Sequence, residues 1–185
     1  MKDEALLDAG LKLASALNSV ADSNLPQRLS DIVKLHAKIA VGAALVPIPI
    51  ADMAAAGANI WTMYIRINKE IDLPFSDNII KSIAAGVLTN IGGAVAGAIA
   101  IGTALKIVPG LGSIGGAAVM SATVYAVTIV SGIIYMKALA KLIGKKNLED
   151  ISESDIKKAA EEEMSNKSNI KEMFKEAKSS YKSEK

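Results

Sequence analysis

Four features have residue types and spacing that could do chemistry: a glycine-rich run, one histidine, one aspartate and one asparagine. Gly110, Gly112 and Gly115 match the G-x-G-x-x-G pattern of a dinucleotide-binding loop. Such a loop needs a strand before it, a helix after it and an acidic residue about 20 positions on to hold a ribose. Here the preceding segment reads as a long helix of small residues, and no acidic residue follows until Glu149. The glycines therefore read as turn and helix-packing residues, and no G-x-x-x-x-G-K-[ST] loop occurs anywhere.

His36 is the single histidine, and cysteine is absent. One imidazole with no second ligand and no neighbouring nucleophile makes neither a zinc site nor a covalent catalyst. It shares a helical face with Ile32, Val33, Ile39 and Ala40, which points to a packed histidine. Asp52 follows Pro47 and Pro49 and falls in the first turn of an apolar helix, where the dipole and free N–H groups favour a carboxylate. At membrane depth the same group could serve an ion or a proton, as ionisable residues there often do. Asn90, polar within an apolar stretch, is expected to hydrogen-bond across helices. The remaining carboxylates concentrate in the charged ends, which leaves general acid–base chemistry little to work with. No catalytic residue, cofactor or metal site is expected, and the chain reads as non-enzymatic.

The elements that carry these residues are set out by charge spacing. Residues 82–105 are 24 uncharged positions between Lys81 and Lys106, and 107–136 are 30 more before Lys137. As helix, 24 residues rise about 36 Å, enough for a hydrocarbon core of roughly 30 Å. Pro109 and Gly110 break the run, and a turn there puts Lys106 at an interface instead of the bilayer centre, where it would cost about 2.5–3.5 kcal/mol. The expectation is an all-α membrane protein with a central two-helix transmembrane hairpin.

Within the hairpin, Gly93 and Gly97, then Gly112 and Gly116, recur at intervals of four. Small residues at that spacing let helix backbones approach closely in lipid, within one chain or in a homo-oligomer. Upstream, Asp52 divides residues 39–65 into two uncharged runs of 13, with Pro47 and Pro49 at the turn. Runs of that length suit a shorter helical hairpin that packs on or dips into the membrane. Three regions follow: an amphipathic N-terminal helix within 1–27, a helical membrane domain over 28–146 with hairpins at about 28–70 and 82–142, and a charged helical tail over 147–185. In the tail, Ser152 and Asp155 have the spacing of a capping box, and Ile170, Met173, Phe174, Ala177 and Tyr181 share one helical face.

Net charge is +2 and aromatics are 4% of the chain, which gives nucleic acid neither a basic patch nor a stacking surface. The N-terminus opens Met1, Lys2, Asp3, Glu4 and does not read as a signal peptide. Lys137, Lys141, Lys145 and Lys146 on one side of the hairpin, against Lys106 alone at its turn, place both termini in the cytoplasm by the positive-inside rule. A multi-pass cytoplasmic-membrane location is therefore expected, with the lipid bilayer as first partner.

Two proline turns carry a resemblance. The residues 46–52, the uncharged helix after them and the residues 107–116 resemble a bacterial domain-of-unknown-function family. That family comprises YcjF-type inner-membrane proteins and segments that follow small GTPase domains. The likeness covers about residues 35–142, with isoleucine at position 50 where relatives commonly carry glycine. It implies an α-helical membrane module that works with a separate GTPase, and it implies no catalytic residues. Two other readings of the same pattern are a pore- or channel-forming, toxin-like hairpin and a soluble helical bundle with a very apolar core.

Overall fold

The computed structural model describes residues 2–17, 22–44, 51–73, 75–107 and 112–183; within these, side chains of 51–55, 94–107, 112–116, 148 and 182–183 are not described. Among the described residues the chain is all-α, with no strand. The helices are α1 (Lys2–Ala16), α2 (Leu25–Ala44), α3 (Ala51–Glu70), α4 (Asp77–Ile107), α5 (Gly112–Ile143), α6 (Glu153–Met164) and α7 (Lys167–Ser183). A 3-10 turn at Leu148–Asp150 leads into α6.

The centre of the molecule is α5. Every residue from 120 to 136 is buried, and α1, α2, α3, α4, α6 and α7 all pack against it. A helix apolar on every side belongs either in lipid or inside other helices. Here the helices supply the cover. Among the described residues one stretch, Ala117–Ile143, is long and apolar enough to cross a membrane, and 83% of its most apolar window is buried in protein.

One such stretch is found among the described residues where a hairpin of two spans was expected; the side chains of 94–107 in α4 fall outside those described. The two helices and their order are as expected, but α5 is sheathed. The described half of α4 is two-faced, with Ile80, Ile83, Val87 and Ile91 buried and Ala85, Gly86, Thr89 and Asn90 exposed.

Contacts fix the directions of the helices. Tyr64 bonds to Ser131 and Asn68 to Tyr135, each pair 67 residues apart, so α3 and α5 run parallel. Val33 lies against Gly132, while further along Ala40 and Ala44 cluster with Met120 and Val124, so α2 and α5 run antiparallel. Both hairpins therefore turn at the same end of the bundle. On α1, Asp3 pairs with Lys34 and Gly10 lies against Pro26, which sets α1 antiparallel to α2. Lys146–Asp155 and Lys141–Glu162 lay α6 back along α5.

The terminal helices join the main core. Leu6 and Leu13 of α1, Ile156 and Met164 of α6, and Ile170 and Phe174 of α7 share one hydrophobic cluster with α2–α5. Each such fully buried side chain contributes about 1.5–3 kcal/mol over an exposed one. The capping box opens α6: the Ser152 hydroxyl accepts from the Asp155 N–H, and the Asp155 carboxylate accepts from the Ser152 N–H. At the end of α3, Asp72 takes a left-handed conformation (φ 52°) while the Leu73 N–H bonds back to the Asn68 carbonyl at 2.9 Å.

Candidate functional site

The groups with chemical potential fall into three places, two polar layers inside the bundle and the end where the hairpins turn. In the first, His36 of α2 is 2% exposed and faces α3. Its Nδ1 lies 2.8 Å from Asn59 Oδ1, and Asn59 Nδ2 donates to the His36 carbonyl at 2.9 Å. The second bond orients the amide, so Nδ1 carries the proton and Nε2 the lone pair. Nε2 points toward Arg66 Nη1 at 3.5 Å. Burial pushes the imidazole pKa below its ordinary value, the Asn59 hydrogen bond opposes that shift, and the Arg66 charge adds to it. Among the described residues no carboxylate is placed to activate this histidine, and no group of three His, Asp or Glu could hold a metal ion.

A second polar layer joins α3 to α5. The Tyr64 hydroxyl bonds to Ser131, with 3.0 Å to its carbonyl and 2.6 Å to its Oγ. The Tyr135 hydroxyl donates to Asn68 Oδ1 at 2.9 Å. The two rings stack with centroids 3.8 Å apart. Asn68 Nδ2 is buried without a partner. This is a satisfied core contact with one loose end, and nothing reactive adjoins it.

At the hairpin end, Gly110 of the G-x-G-x-x-G pattern lies outside the described residues. Gly112 and Gly115 sit in the first turn of α5, and the element before them is helix α4, not a strand. Pro47, Pro49, Pro109 and Gly110, the expected turn residues, lie outside the described residues. Asp52 is the second residue of α3, in its first turn, with its side chain outside those described. The same holds for the surroundings of Gly97 in α4 and of Gly112 and Gly116 in α5.

Two expectations are corrected. Asn90 does not reach across helices: its Nδ2 donates to the Gly86 carbonyl one turn back on α4, at 2.9 Å, and the residue is exposed. An exposed amide finds its own helix before it finds another. Gly93 is not a close-packing position within the chain, since a Cβ built there meets nothing within 4 Å.

The close approach lies elsewhere. A Cβ on Gly132 would stand 2.6 Å from Val33 Cγ1, so only glycine lets α2 seat on α5 there. Gly10 plays the same part against Pro26, at 3.0 Å from its carbonyl oxygen. Neither was expected from the sequence: Gly132 belongs to no four-residue glycine or alanine repeat, and Gly10, with Ala14 four positions on, lies in the charged N-terminal helix outside the hairpins. The tyrosine layer did leave a signal: Tyr64 and Asn68, and Ser131 and Tyr135, are polar pairs four apart, each on one face of an apolar helix. At the outer edge of α3, Lys81 lies over the Trp61 ring, 5.3 Å from its centroid.

Compared with models of known protein families, with curated proteins and with solved structures, the chain matches none. The resemblance to YcjF-type proteins rests on its motifs alone.

Proposed function

We propose that this chain is a non-enzymatic helical module of the cytoplasmic membrane. Its apolar hairpin end meets the bilayer, and its charged helices recruit a separate protein, a GTPase by the resemblance. The observation that carries the reading is a common charge boundary. On α3 the uncharged stretch ends at Arg66, on α4 at Lys81 and on α5 at Lys137.

The offset of 67 residues between α3 and α5 puts Arg66 beside Ile133. Leu88 of α4 and Val127 of α5 line one small cavity, which puts Lys81 near Ile134. Three helices thus lose their charge within about 6 Å of one another along the bundle. Beyond that boundary toward the turns, α3, α4 and α5 carry only Asp52 and Lys106, while α2, which packs Val33 against Gly132, carries Lys34 and Lys38. The turn-side halves of these three adjoining helices, nearly free of charge, suit contact with lipid, where a charged residue costs about 2.5–3.5 kcal/mol.

A second reading, a soluble bundle with a very apolar core, is favoured by the 83% burial of the most apolar window of α5. A pore requires more: self-assembly across open positions such as Gly93, with ion flux that Gly97→Leu abolishes while insertion persists. Fractionation of cells separates the first two. Protein that stays with membranes through an alkaline carbonate wash and leaves only with detergent supports the membrane module. Protein recovered in the soluble fraction contradicts it and leaves the soluble bundle.

A further inference from the structure

We propose that the outer face of α2 and α3, edged by Lys81 of α4, rests on an anionic phospholipid surface, so that the bundle lies on its side on the bilayer. The inference rests on the membrane reading above and names the surface that makes the contact. It starts from Leu35 and Ile39, one turn apart on α2 and 42% and 47% exposed. Among the described residues only Leu11 of α1 is another large hydrophobic side chain so exposed. The residues beside them are committed: His36 faces α3 and Val33 faces α5, which turns Leu35 and Ile39 away from the bundle.

Helix α3 continues the face. It packs on α2, α4 and α5 and leaves Ala58, Thr62, Arg66 and Lys69 exposed. The Thr62 hydroxyl donates to the Ala58 carbonyl at 2.8 Å, so the middle of the face offers no free donor.

The charges around it are nearly all of one sign. Residues 32–69 hold Lys34, Lys38, Arg66 and Lys69 against one carboxylate, Asp52, whose side chain is outside those described. Lys34 pairs with Asp3, but Lys38, Arg66, Lys69 and Lys81 meet no carboxylate among the described residues. Arg66 Nη1 reaches His36 Nε2 and Lys81 Nζ reaches the Trp61 ring, so both cations fold back to the level of Leu35. The lower edge of the face is closed by Asp31, bonded to Gln27, and by Glu70, paired with Arg28. Elsewhere the balance reverses: α6 carries five carboxylates against two lysines.

Apolar side chains ringed by unpaired cations fit a surface that is negative on top and apolar beneath. The cations come from three helices and are spread across the face, which suits a plane of phosphates better than one acidic helix. Leu35 and Ile39 pass the headgroups, the lysines and Arg66 meet phosphate, and Trp61 stands at the headgroup level where indoles concentrate. Lasting attachment takes both signals, since either alone holds weakly.

The chain has no cysteine, so one introduced thiol carries a unique label. Full chains with Leu35→Cys or, for comparison, Leu11→Cys carry an environment-sensitive fluorophore and are mixed with phosphatidylcholine vesicles, with or without phosphatidylserine. Expected on the anionic vesicles is a label at position 35 moved to an apolar environment and a label at position 11 left in water. Lys38→Gln, Lys69→Gln and Lys81→Gln together should lower binding to those vesicles about tenfold or more. Lys158→Gln, Lys171→Gln and Lys175→Gln, the same loss of charge on α6 and α7, should change it by less than about threefold. Both sets alter exposed side chains and spare the core.

Binding with the label at position 35 still in water, equal losses from the two lysine sets, or equal binding to both kinds of vesicle overturns the proposal while sparing the membrane reading. A label at position 35 that is already apolar without vesicles shows a second copy of the chain on this face and overturns it too. Failure to bind either kind of vesicle overturns both.

Discussion

Tyr64 of α3 and Tyr135 of α5 stack face to face, their planes 8° apart, and each hydroxyl bonds to the helix that carries the other. The pair ties the second hairpin to the first through the middle of the bundle. Tyr135→Phe keeps the ring and removes the bond to Asn68, leaving a buried amide with neither of its groups partnered. Expected is a loss of about 1–3 kcal/mol in urea denaturation. Tyr135→Phe combined with Asn68→Leu removes both ends of the bond and should be less destabilised than Tyr135→Phe alone. Equal or greater loss in the double variant would show that Asn68 has another role.

Gly132 sets how closely α2 sits on α5. Adding one methyl forces Val33 or the α2 backbone to move, since the new carbon would stand 2.6 Å from Val33 Cγ1. Gly132→Ala should destabilise the fold by about 1–3 kcal/mol despite alanine's better helix propensity. Gly93→Ala, which meets open space, should be neutral or slightly stabilising. Chemical denaturation of the two variants side by side checks both. A neutral Gly132→Ala would contradict the close approach.

His36 makes stability depend on pH in one direction. Its folded pKa lies below the ordinary 6.5, chiefly because burial disfavours the charged ring. Arg66 is the charged group that faces it from α3; α5 carries no charge between 107 and 136, and Asp3 of α1 is engaged with Lys34. The unfolded chain therefore binds the proton more readily than the folded one. Stability is full above about pH 6.5 and falls as pH drops toward the lower folded value. Between pH 7.5 and 5.5 the melting temperature should fall more in the wild type than in His36→Gln. Imidazole resonances of this single histidine, titrated by NMR, should show a midpoint under 6.5. A midpoint at or above 6.5 would remove the basis for the difference.

The capping box at the head of α6 holds that helix against the end of α5. Ser152→Ala removes the hydroxyl that accepts from the Asp155 N–H and should cost about 1 kcal/mol. Asp155 is held well below the usual carboxylate range, first by Lys146 and then by the Ser152 groups. Its contribution is thus present above the ordinary carboxylate value and lost as pH falls through the folded value, so Asp155→Asn should flatten the acid limb of a stability profile. Denaturation of both variants at pH 7 and pH 3 measures the two effects.

The helices themselves were legible in the charge spacing. The long pair is there, though α4 starts before Lys81 and α5 runs on past Lys137, and Ser152 and Asp155 mark the start of α6 as the structure has it. What covers α5 was not legible. An all-round apolar helix has no polar face to say which neighbour it meets, and 107–136 reads the same whether lipid or protein surrounds it. The cover comes from α1, α6 and α7, whose apolar faces are narrow and whose charges dominate their sequences. Leu6, Ile156 and Phe174 are buried to complete a sheath that only the tertiary fold reveals. Gly132 was hidden for a related reason: its partner Val33 lies 99 positions away, and nothing local marks the contact.

The measurement closest to the central claim is flotation of the purified, detergent-free chain with phospholipid vesicles at high salt. Salt screens surface attraction, so what floats is held by apolar contact. Expected is protein that rises with the vesicles. Protein that stays at the bottom of the gradient as a monodisperse species would contradict the membrane module, and leave α5 as the core of a soluble bundle.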